Sequence, residues 1–222
     1  MDDSPSFGDL TVAEFSARLA SAAPVPGGGS ASAVAASLGA SLVAMVAALS
    51  TDRPKYAAHN ALHASAGRAA RDLAGRLITL ADEDAAAYAG FGVAMKLPRE
   101  TDEQKATRSA AIRAAARASV DPPFRCVEAC LGVVVLSEAL AGRSNVNASS
   151  DLNVASLLAE AGARGAAENV LVNLPATGDE AWAEEIADRV HALLDEVTAL
   201  AEGTRTAVAS GEAREPREPF ED

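Results

Sequence analysis

The chain has 222 residues, of which 49% are hydrophobic but only 4% aromatic, and its formal net charge is −12. This length favours a single domain, and its core must consist mainly of Ala, Leu and Val side chains. The acidic charge argues against a nucleic-acid partner, because phosphate binding requires a clustered basic face that the sequence lacks.

The N-terminal region predicts a short helix and no export signal. Residues 1–5 are acidic and lack the basic start and apolar run of a signal peptide, so we expect a cytoplasmic protein. We expect residues 1–8 to be flexible and residues 9–210 to form one domain. Thr11 and Glu14 have the spacing of a capping box, which predicts a first helix that ends before Pro24.

Three consecutive glycines, Gly27, Gly28 and Gly29, precede Ser30 and a long run of small residues. Glycine lets a ligand approach the backbone N–H groups at a helix N-terminus, although a simple turn would also use glycines. Residues 27–51 carry no charge, but the serines among them and the lack of a basic flank argue against a membrane span. We therefore expect a buried central helix and no membrane partner.

Apolar spacing and capping residues predict four further helices. They are expected over 54–96, over 101–140 with an interruption at 122–123, from a cap at Ser150 or Asp151 onward, and after a capping box over 177–180. No strand pattern or fixed-period repeat is visible in the sequence. The predicted fold is thus an all-α antiparallel bundle of about five to six helices, followed by a disordered acidic tail over 211–222.

Two aspartates late in the third predicted helix are candidates for acid–base chemistry. Asp82 and Asp84 are about 200° apart around a helix, so both cannot face one pocket. Asp84 shares its helix face with Tyr88 and Phe91, whose rings would partly desolvate the carboxyl and raise its pKa. An ordinary surface carboxylate is the alternative. Lys96 lies about 18 Å farther along a straight helix, so it would hold the far end of a substrate, reach another subunit's site, or remain solvated.

Polar residues crowd the start of the fifth predicted helix and recur near its end. Capping and turn chemistry account for Ser150 and Asp151 without a ligand, and Asn147 belongs to the same segment. Asn169 and Asn173 are less easily explained, because they lie four residues apart on an apolar segment where buried amides need partners. A hydrogen-bonding heterocycle would supply those partners.

Neither the cysteines nor the histidines predict a metal site. Cys126 and Cys130 are spaced i, i+4, as are His59 and His63, and neither pair has the further ligands that zinc requires. Core cysteines and an exposed histidine pair are the expected roles. Nucleophile-elbow, phosphate-loop and dinucleotide-binding motifs are absent from the sequence.

Four separated segments, taken together and in order, resemble the cyclodeaminase/cyclohydrolase family of folate enzymes, also known as the formiminotransferase-cyclodeaminase C-terminal family. They are 23–33, 81–88, 95–98 and the polar stretches of 145–174, within a resemblance that extends from about Val12 to Leu200. The resemblance implies a helical homodimer without a cofactor, which binds a tetrahydrofolate derivative near the subunit interface. It assigns catalysis to Asp84. By position it assigns substrate binding to Gly27, Gly28, Gly29, Ser30, Asp82, Lys96, Pro98, Asn147, Ser150, Asp151, Asn169 and Asn173.

The resemblance leaves two activities open. One branch of the family closes formiminotetrahydrofolate to the methenyl form and releases ammonia, and another opens methenyltetrahydrofolate with water to give formyltetrahydrofolate. No formiminotransferase-like domain is fused to this sequence, which favours the cyclohydrolase. A non-catalytic helical binding or assembly module is the alternative from another class. Ser144 and Glu168 depart from the family pattern, which has a glycine and an apolar residue at these two positions.

Overall fold

The computed structural model describes residues 6–220, so residues 1–5 of the segment 1–8 that we expect to be flexible lie outside the described part. These residues form seven α-helices: α1 Val12–Leu19, α2 Gly28–Ser50, α3 Asn60–Met95, α4 Asp102–Ala118, α5 Asp121–Leu140, α6 Ser149–Asn173 and α7 Glu180–Ser210. Within 6–220 no residue belongs to a strand, which confirms the all-α prediction.

Helix α2 is the centre of the bundle and packs mainly against α3 and α6. Its small residues permit very close crossing: a Cβ on Gly39 would lie 2.8 Å from the Ala155 carbonyl oxygen, and a Cβ on Gly162 would lie 2.8 Å from that of Ser32. The earlier residue of α2, Ser32, contacts the later residue of α6, and the later residue Gly39 contacts the earlier one, so the two helices are antiparallel. Helix α2 is long and apolar enough to cross a membrane. However, half of its apolar stretch is buried against neighbouring helices, as in the core helix of a helical bundle.

Two faces of α2 have different surroundings. A face of small residues, among them Ala33 and Ala40, is buried where α2 packs against α3 and α6. A second face carries larger apolar side chains that are partly exposed to solvent, with exposed fractions of 54% for Leu38, 39% for Met45 and 39% for Leu49. An uncharged apolar surface therefore remains on the outside of the central helix.

Two predicted helices begin differently from expectation. The third helix starts at Asn60, because the preceding 3₁₀ segment Pro54–His59 is kinked at Tyr56 (φ −117°, ψ 16°) and ends at His59, whose angles (φ −111°, ψ 7°) are also non-helical. The fourth predicted helix is two helices, α4 and α5. Pro122 and Pro123 do not interrupt a helix but open α5, since a proline in the first turn loses no hydrogen bond.

Two predicted caps are wrong. The residue that precedes α6 is Ala148, which makes no side-chain cap, and Ser150 and Asp151 lie inside the first turn. Helix α7 is capped by Asp179, whose carboxylate accepts a hydrogen bond from the Trp182 N–H. The hydroxyl of Thr177 instead donates to the Leu174 carbonyl.

The tail that we expected to be disordered lies against the bundle over its described part, 211–220. The Arg214 N–H donates to the Gly142 carbonyl, and its guanidinium pairs with Glu138. The Phe220 N–H donates to the Ser65 hydroxyl, and its ring packs on the core. These contacts fasten the chain end to α3 and α5.

Candidate active site

A cavity of about 200 Å³ opens where the N-terminus of α2 meets the C-terminal halves of α3 and α6. Its lining contains six of the predicted site residues, brought together from three distant segments: Gly27, Gly28, Gly29, Asp84, Asn169 and Asn173. Among the described residues that line it, Asp84 is the one charged group. The cavity therefore combines exposed backbone, one carboxyl and two amides.

The glycines allow the Asp84 carboxylate to approach the first turn of α2. Gly27 precedes the helix and offers no side-chain cap to its first N–H groups. A Cβ on Gly29 would lie 2.6 Å from each carboxylate oxygen of Asp84, closer than real Cβ atoms come to another group. A glycine at position 29 is thus a steric requirement of this arrangement.

The charge of Asp84 is set by opposing influences. Burial raises the pKa of this carboxyl above its ordinary value, while hydrogen bonds from the side chain and backbone of Ser30 lower it. Ser30 is fully buried, and its Oγ lies 3.3 Å from Asp84 Oδ2. A carboxyl with a raised pKa beside a polar cavity can exchange a proton near neutral pH more readily than an exposed aspartate.

The two asparagines are fixed by their amide nitrogens. Asn169 Nδ2 donates to the Gly165 carbonyl at 2.8 Å, and Asn173 Nδ2 donates to the Ser119 carbonyl at 3.1 Å. Their Oδ1 atoms accept no hydrogen bond from the described residues, so both remain available to a ligand that donates hydrogen bonds. Backbone carbonyls thus supply partners for the amide nitrogens, and the amide oxygens are left without a partner among the described residues.

Aromatic and backbone groups complete the lining. Tyr88 and Phe91 lie on the same face of α3 as Asp84, as the helical spacing predicted, and line the cavity with it. Ser119, at the junction of α4 and α5, was missed by sequence reasoning. Pro122 and Pro123 indicate a boundary between two helices, but a sequence pattern does not show that this boundary lies beside the cavity.

Three predicted residues of the α3 region lie outside the cavity lining. The Asp82 carboxylate accepts hydrogen bonds from the Ser6 hydroxyl at 2.6 Å and the Phe7 N–H at 2.8 Å, so it anchors the N-terminal segment. Lys96 and Pro98 are exposed beyond the end of α3. The angular separation of Asp82 from Asp84 is therefore real, and Asp84 is the one that faces the cavity.

The polar residues at the start of α6 lie at the opposite end of the bundle. Asn147 and Ser150 are exposed, and Asp151 is half-buried. Ser150 and Asn169 are 19 residues apart on α6, or about 28 Å along the helix. Within one chain these residues cannot share a ligand with Asp84.

The two departures from the family pattern lie outside the lining. Ser144 is buried, and its hydroxyl donates to the Leu140 carbonyl. Glu168 is exposed beside Asn169. Neither residue contributes a surface to the cavity.

The residues excluded as metal ligands have ordinary surroundings. Within 6–220, no group of three His, Cys, Asp or Glu side chains is placed to share a metal ion. Cys126 and Cys130 are buried free thiols in the core, as expected. The expectation of an exposed histidine pair is wrong for His63, which is 1% exposed and bonds through Nε2 to the Arg143 carbonyl oxygen.

Comparison with known proteins supplies the context for this cavity. The sequence profile of the formiminotransferase-cyclodeaminase family matches residues 11–192. A methenyltetrahydrofolate cyclohydrolase from Methylorubrum extorquens is 39% identical over 195 residues, 88% of this chain and 94% of that protein. A formimidoyltransferase-cyclodeaminase from Sus scrofa is 32% identical over 182 residues, but the match spans only 34% of that longer protein. The crystal structure of formiminotetrahydrofolate cyclodeaminase from Thermotoga maritima has the same fold, with a TM-score of 0.82 at 21% identity over 91% of this chain and 98% of that one.

Proposed function

This chain belongs to the formiminotransferase-cyclodeaminase family, and from that premise we propose that it is an enzyme that hydrolyses methenyltetrahydrofolate to formyltetrahydrofolate. The similarity to the Methylorubrum cyclohydrolase, which extends over nearly all of both chains, carries the proposal. The cavity supports it, because the one charged group of its lining is a carboxyl with a raised pKa.

The proposed mechanism uses Asp84 as a general base. The methenyl carbon of the substrate is electron-poor, and a water held by the ionised Asp84 attacks it while the carboxylate takes up one proton. The protonated Asp84 then returns its proton to one ring nitrogen as the bond between that nitrogen and the tetrahedral carbon breaks. The hydroxyl on the carbon loses its proton to solvent as the formyl C=O forms, so one proton is released in each turnover. The amide oxygens of Asn169 and Asn173 are available to orient the pterin, which presents several N–H donors.

The cavity of one chain is too small for the whole substrate. Its volume of about 200 Å³ lies below the range of about 300–1,000 Å³ that is usual for small-molecule sites. We therefore propose a homodimer in which the second subunit completes the site. The exposed apolar surface of α2 continues onto α6 through Val154 and Leu157, which are 45% and 52% exposed, and this provides an uncharged face for a second copy.

An antiparallel dimer through this face would also give a role to the polar residues at the start of α6, which lie far from the cavity of their own chain. The α2–α6 pair carries the cavity at one end, and it carries Asn147, Ser150 and Asp151 at the other. A two-fold axis through the middle of the pair would bring the second group of one subunit to the cavity of its partner. We propose that those residues bind substrate in that way.

The remaining elements of the proposal follow from the chemistry. Addition of water to an activated carbon transfers no electrons, so no redox cofactor is required, and the tetrahydrofolate derivative is the substrate. A cytoplasmic location is proposed because two buried thiols, Cys126 and Cys130, are unpaired, as in proteins of reducing compartments.

One assay distinguishes hydrolysis from its alternatives. Purified protein is expected to accelerate the loss of methenyltetrahydrofolate absorbance above the rate without protein, with an Asp84→Asn sample as the matched control. A higher kcat/KM for ammonia release from formiminotetrahydrofolate would identify a cyclodeaminase instead, which the animal relatives make the second candidate. Folate binding without either turnover would overturn both and indicate a binding module.

A further inference from the structure

The contacts of Ser30 suggest a role for it different from substrate binding. Ser30 is 0% exposed on α2, and its Oγ lies 3.1 Å from the Ala81 carbonyl oxygen as well as 3.3 Å from Asp84 Oδ2. A serine hydroxyl has a single proton, so it can donate to only one of these two acceptors at a time. Its lone pairs can meanwhile accept a hydrogen bond.

The preferred acceptor depends on the charge of Asp84. When Asp84 is ionised, its carboxylate is the stronger acceptor, and the Ser30 proton points to it. When Asp84 carries a proton, the acid can donate to Ser30 Oγ, and the hydroxyl turns to donate to Ala81. Both states are satisfied by rotation of one hydroxyl, without movement of any heavy atom.

We propose that Ser30 is a positioning residue for Asp84, whose hydroxyl alternates between the Ala81 carbonyl and the Asp84 side chain and so supports Asp84 in both protonation states. The inference rests on the proposed function in that a general base must gain and lose a proton in each cycle. It also removes Ser30 from the substrate-binding set, because a fully buried side chain cannot reach a ligand.

The charged surroundings of Asp84 are few, so an effect of Ser30 can be isolated. Helix α2 carries no charge, and Tyr88 is the other titratable side chain in the lining. Two acidic residues adjoin lining residues in sequence. Glu83 is paired with Arg125 at 2.7 Å, and Glu168 is exposed outside the cavity.

The same pair of helices supplies a matched control. Seven residues along α2, the Ser37 hydroxyl donates to the Ala74 carbonyl of α3 at 2.9 Å, and Ser37 is 6% exposed. Ser37→Ala therefore removes the same kind of interhelical hydrogen bond at a place with no carboxylate. The difference between Ser30→Ala and Ser37→Ala measures what Ser30 does for Asp84.

The test follows the titration of Asp84 directly, by ¹³C NMR of the aspartate carboxyls with Asp84→Asn for assignment. Ser30→Ala is expected to raise the pKa of Asp84 by about one unit, because the hydrogen bond lost from the ionised form is stronger than the one lost from the protonated form. The acidic limb of kcat/KM should move to higher pH with it, while KM changes little. Ser37→Ala should shift neither. Ser30→Cys, a variant of similar size with a weak donor, should shift both in the direction of Ser30→Ala.

Two results would overturn the inference. One is an Asp84 titration that is the same in the wild type, Ser30→Ala and Ser30→Cys. The other is an equal shift in Ser37→Ala, which would indicate a general effect of helix packing. The NMR titration needs no turnover, so a protein without folate activity would defeat the proposed function while the role of Ser30 was still decided.

Discussion

At the scale of single residues, the ionised Asp84 side chain lowers the free energy of unfolding, because burial disfavours its charge. Its pKa is raised by burial, so the folded protein holds this proton more tightly than the unfolded chain does. Stability from this group is therefore complete at low pH and falls as pH rises from the unfolded value through the raised folded pKa. At neutral pH an ionised Asp84 makes the bundle less stable, which is a common property of catalytic groups.

Replacement of Asp84 should therefore separate activity from stability. Asp84→Asn is expected to lower turnover by about 100-fold or more, because a positioned general base is lost. The Tm at pH 7 should be unchanged or higher, because a neutral amide avoids the desolvation of a charge. Thermal denaturation and steady-state kinetics on the same sample test both halves.

Asp82→Asn is the matched control, and it should lower stability while leaving turnover intact. Asp82 accepts two hydrogen bonds from the N-terminal segment and lies outside the cavity lining. Its replacement should cost about 1 kcal/mol of stability and leave turnover near normal. Loss of turnover in Asp82→Asn with near-normal turnover in Asp84→Asn would show that the wrong carboxyl has been assigned.

At the scale of helices, local capping signals in the sequence were correct at some helix starts and wrong at others. The capping boxes at Thr11 and Thr101 form as their spacing indicates, because donor and acceptor are three residues apart. The Thr177 box fails because Gly178 takes a left-handed conformation (φ 68°) and the next residue, Asp179, becomes the cap. Competition between two capping residues is decided by backbone angles that the pattern does not contain.

The position of the cavity could not be predicted from sequence patterns either. Its three segments were recognised as polar or glycine-rich, but their convergence depends on the register of α2 against α3 and α6. The register is set by close helix contacts such as that of Gly39 with the Ala155 backbone, between residues more than a hundred positions apart in sequence. The separation of Asp82 from Asp84 was predictable, because the angle of about 200° between them follows from the geometry of one helix. The distance of the start of α6 from Asp84 was not predictable, because it depends on this register.

The first turn of α2 provides a prediction at this scale. Gly29→Ala should reduce kcat strongly, about 10-fold or more, because its Cβ would occupy the space of the Asp84 carboxylate and displace the general base. Gly75→Ala on α3 is the control, because a Cβ there meets nothing within 4 Å. That change should keep activity and stabilise the helix by about 0.5–1 kcal/mol.

A crystal structure of the Gly29→Ala protein would show the cause directly. The Asp84 side chain should adopt a different rotamer and leave Ser30. Normal kcat with an unmoved Asp84 carboxylate would mean that the helix backbone yields instead, and that position 29 does not require glycine.

At the scale of the whole molecule, a single chain leaves an apolar surface exposed, and its cavity of about 200 Å³ is smaller than most small-molecule sites. The exposed aliphatic residues of α2 and α6 form an uncharged face in a protein whose net charge is −12. Without a partner this face would be exposed to water at a cost in free energy. The proposed dimer covers it and places the polar start of α6 beside the partner's cavity.

A charge introduced into this face should therefore abolish assembly and catalysis together. Leu38→Glu, at a residue 54% exposed on α2, is expected to dissociate the dimer, because the partner interface would bury an unpaired carboxylate. Turnover should fall in parallel, since each cavity would lose the residues supplied by its partner. Val12→Glu, at a residue 84% exposed on α1, changes the same kind of side chain outside the face and should leave both properties unchanged. Sedimentation velocity at the concentration of the kinetic assay tests this, and a fully active monomer, whether wild type or Leu38→Glu, would refute the shared site.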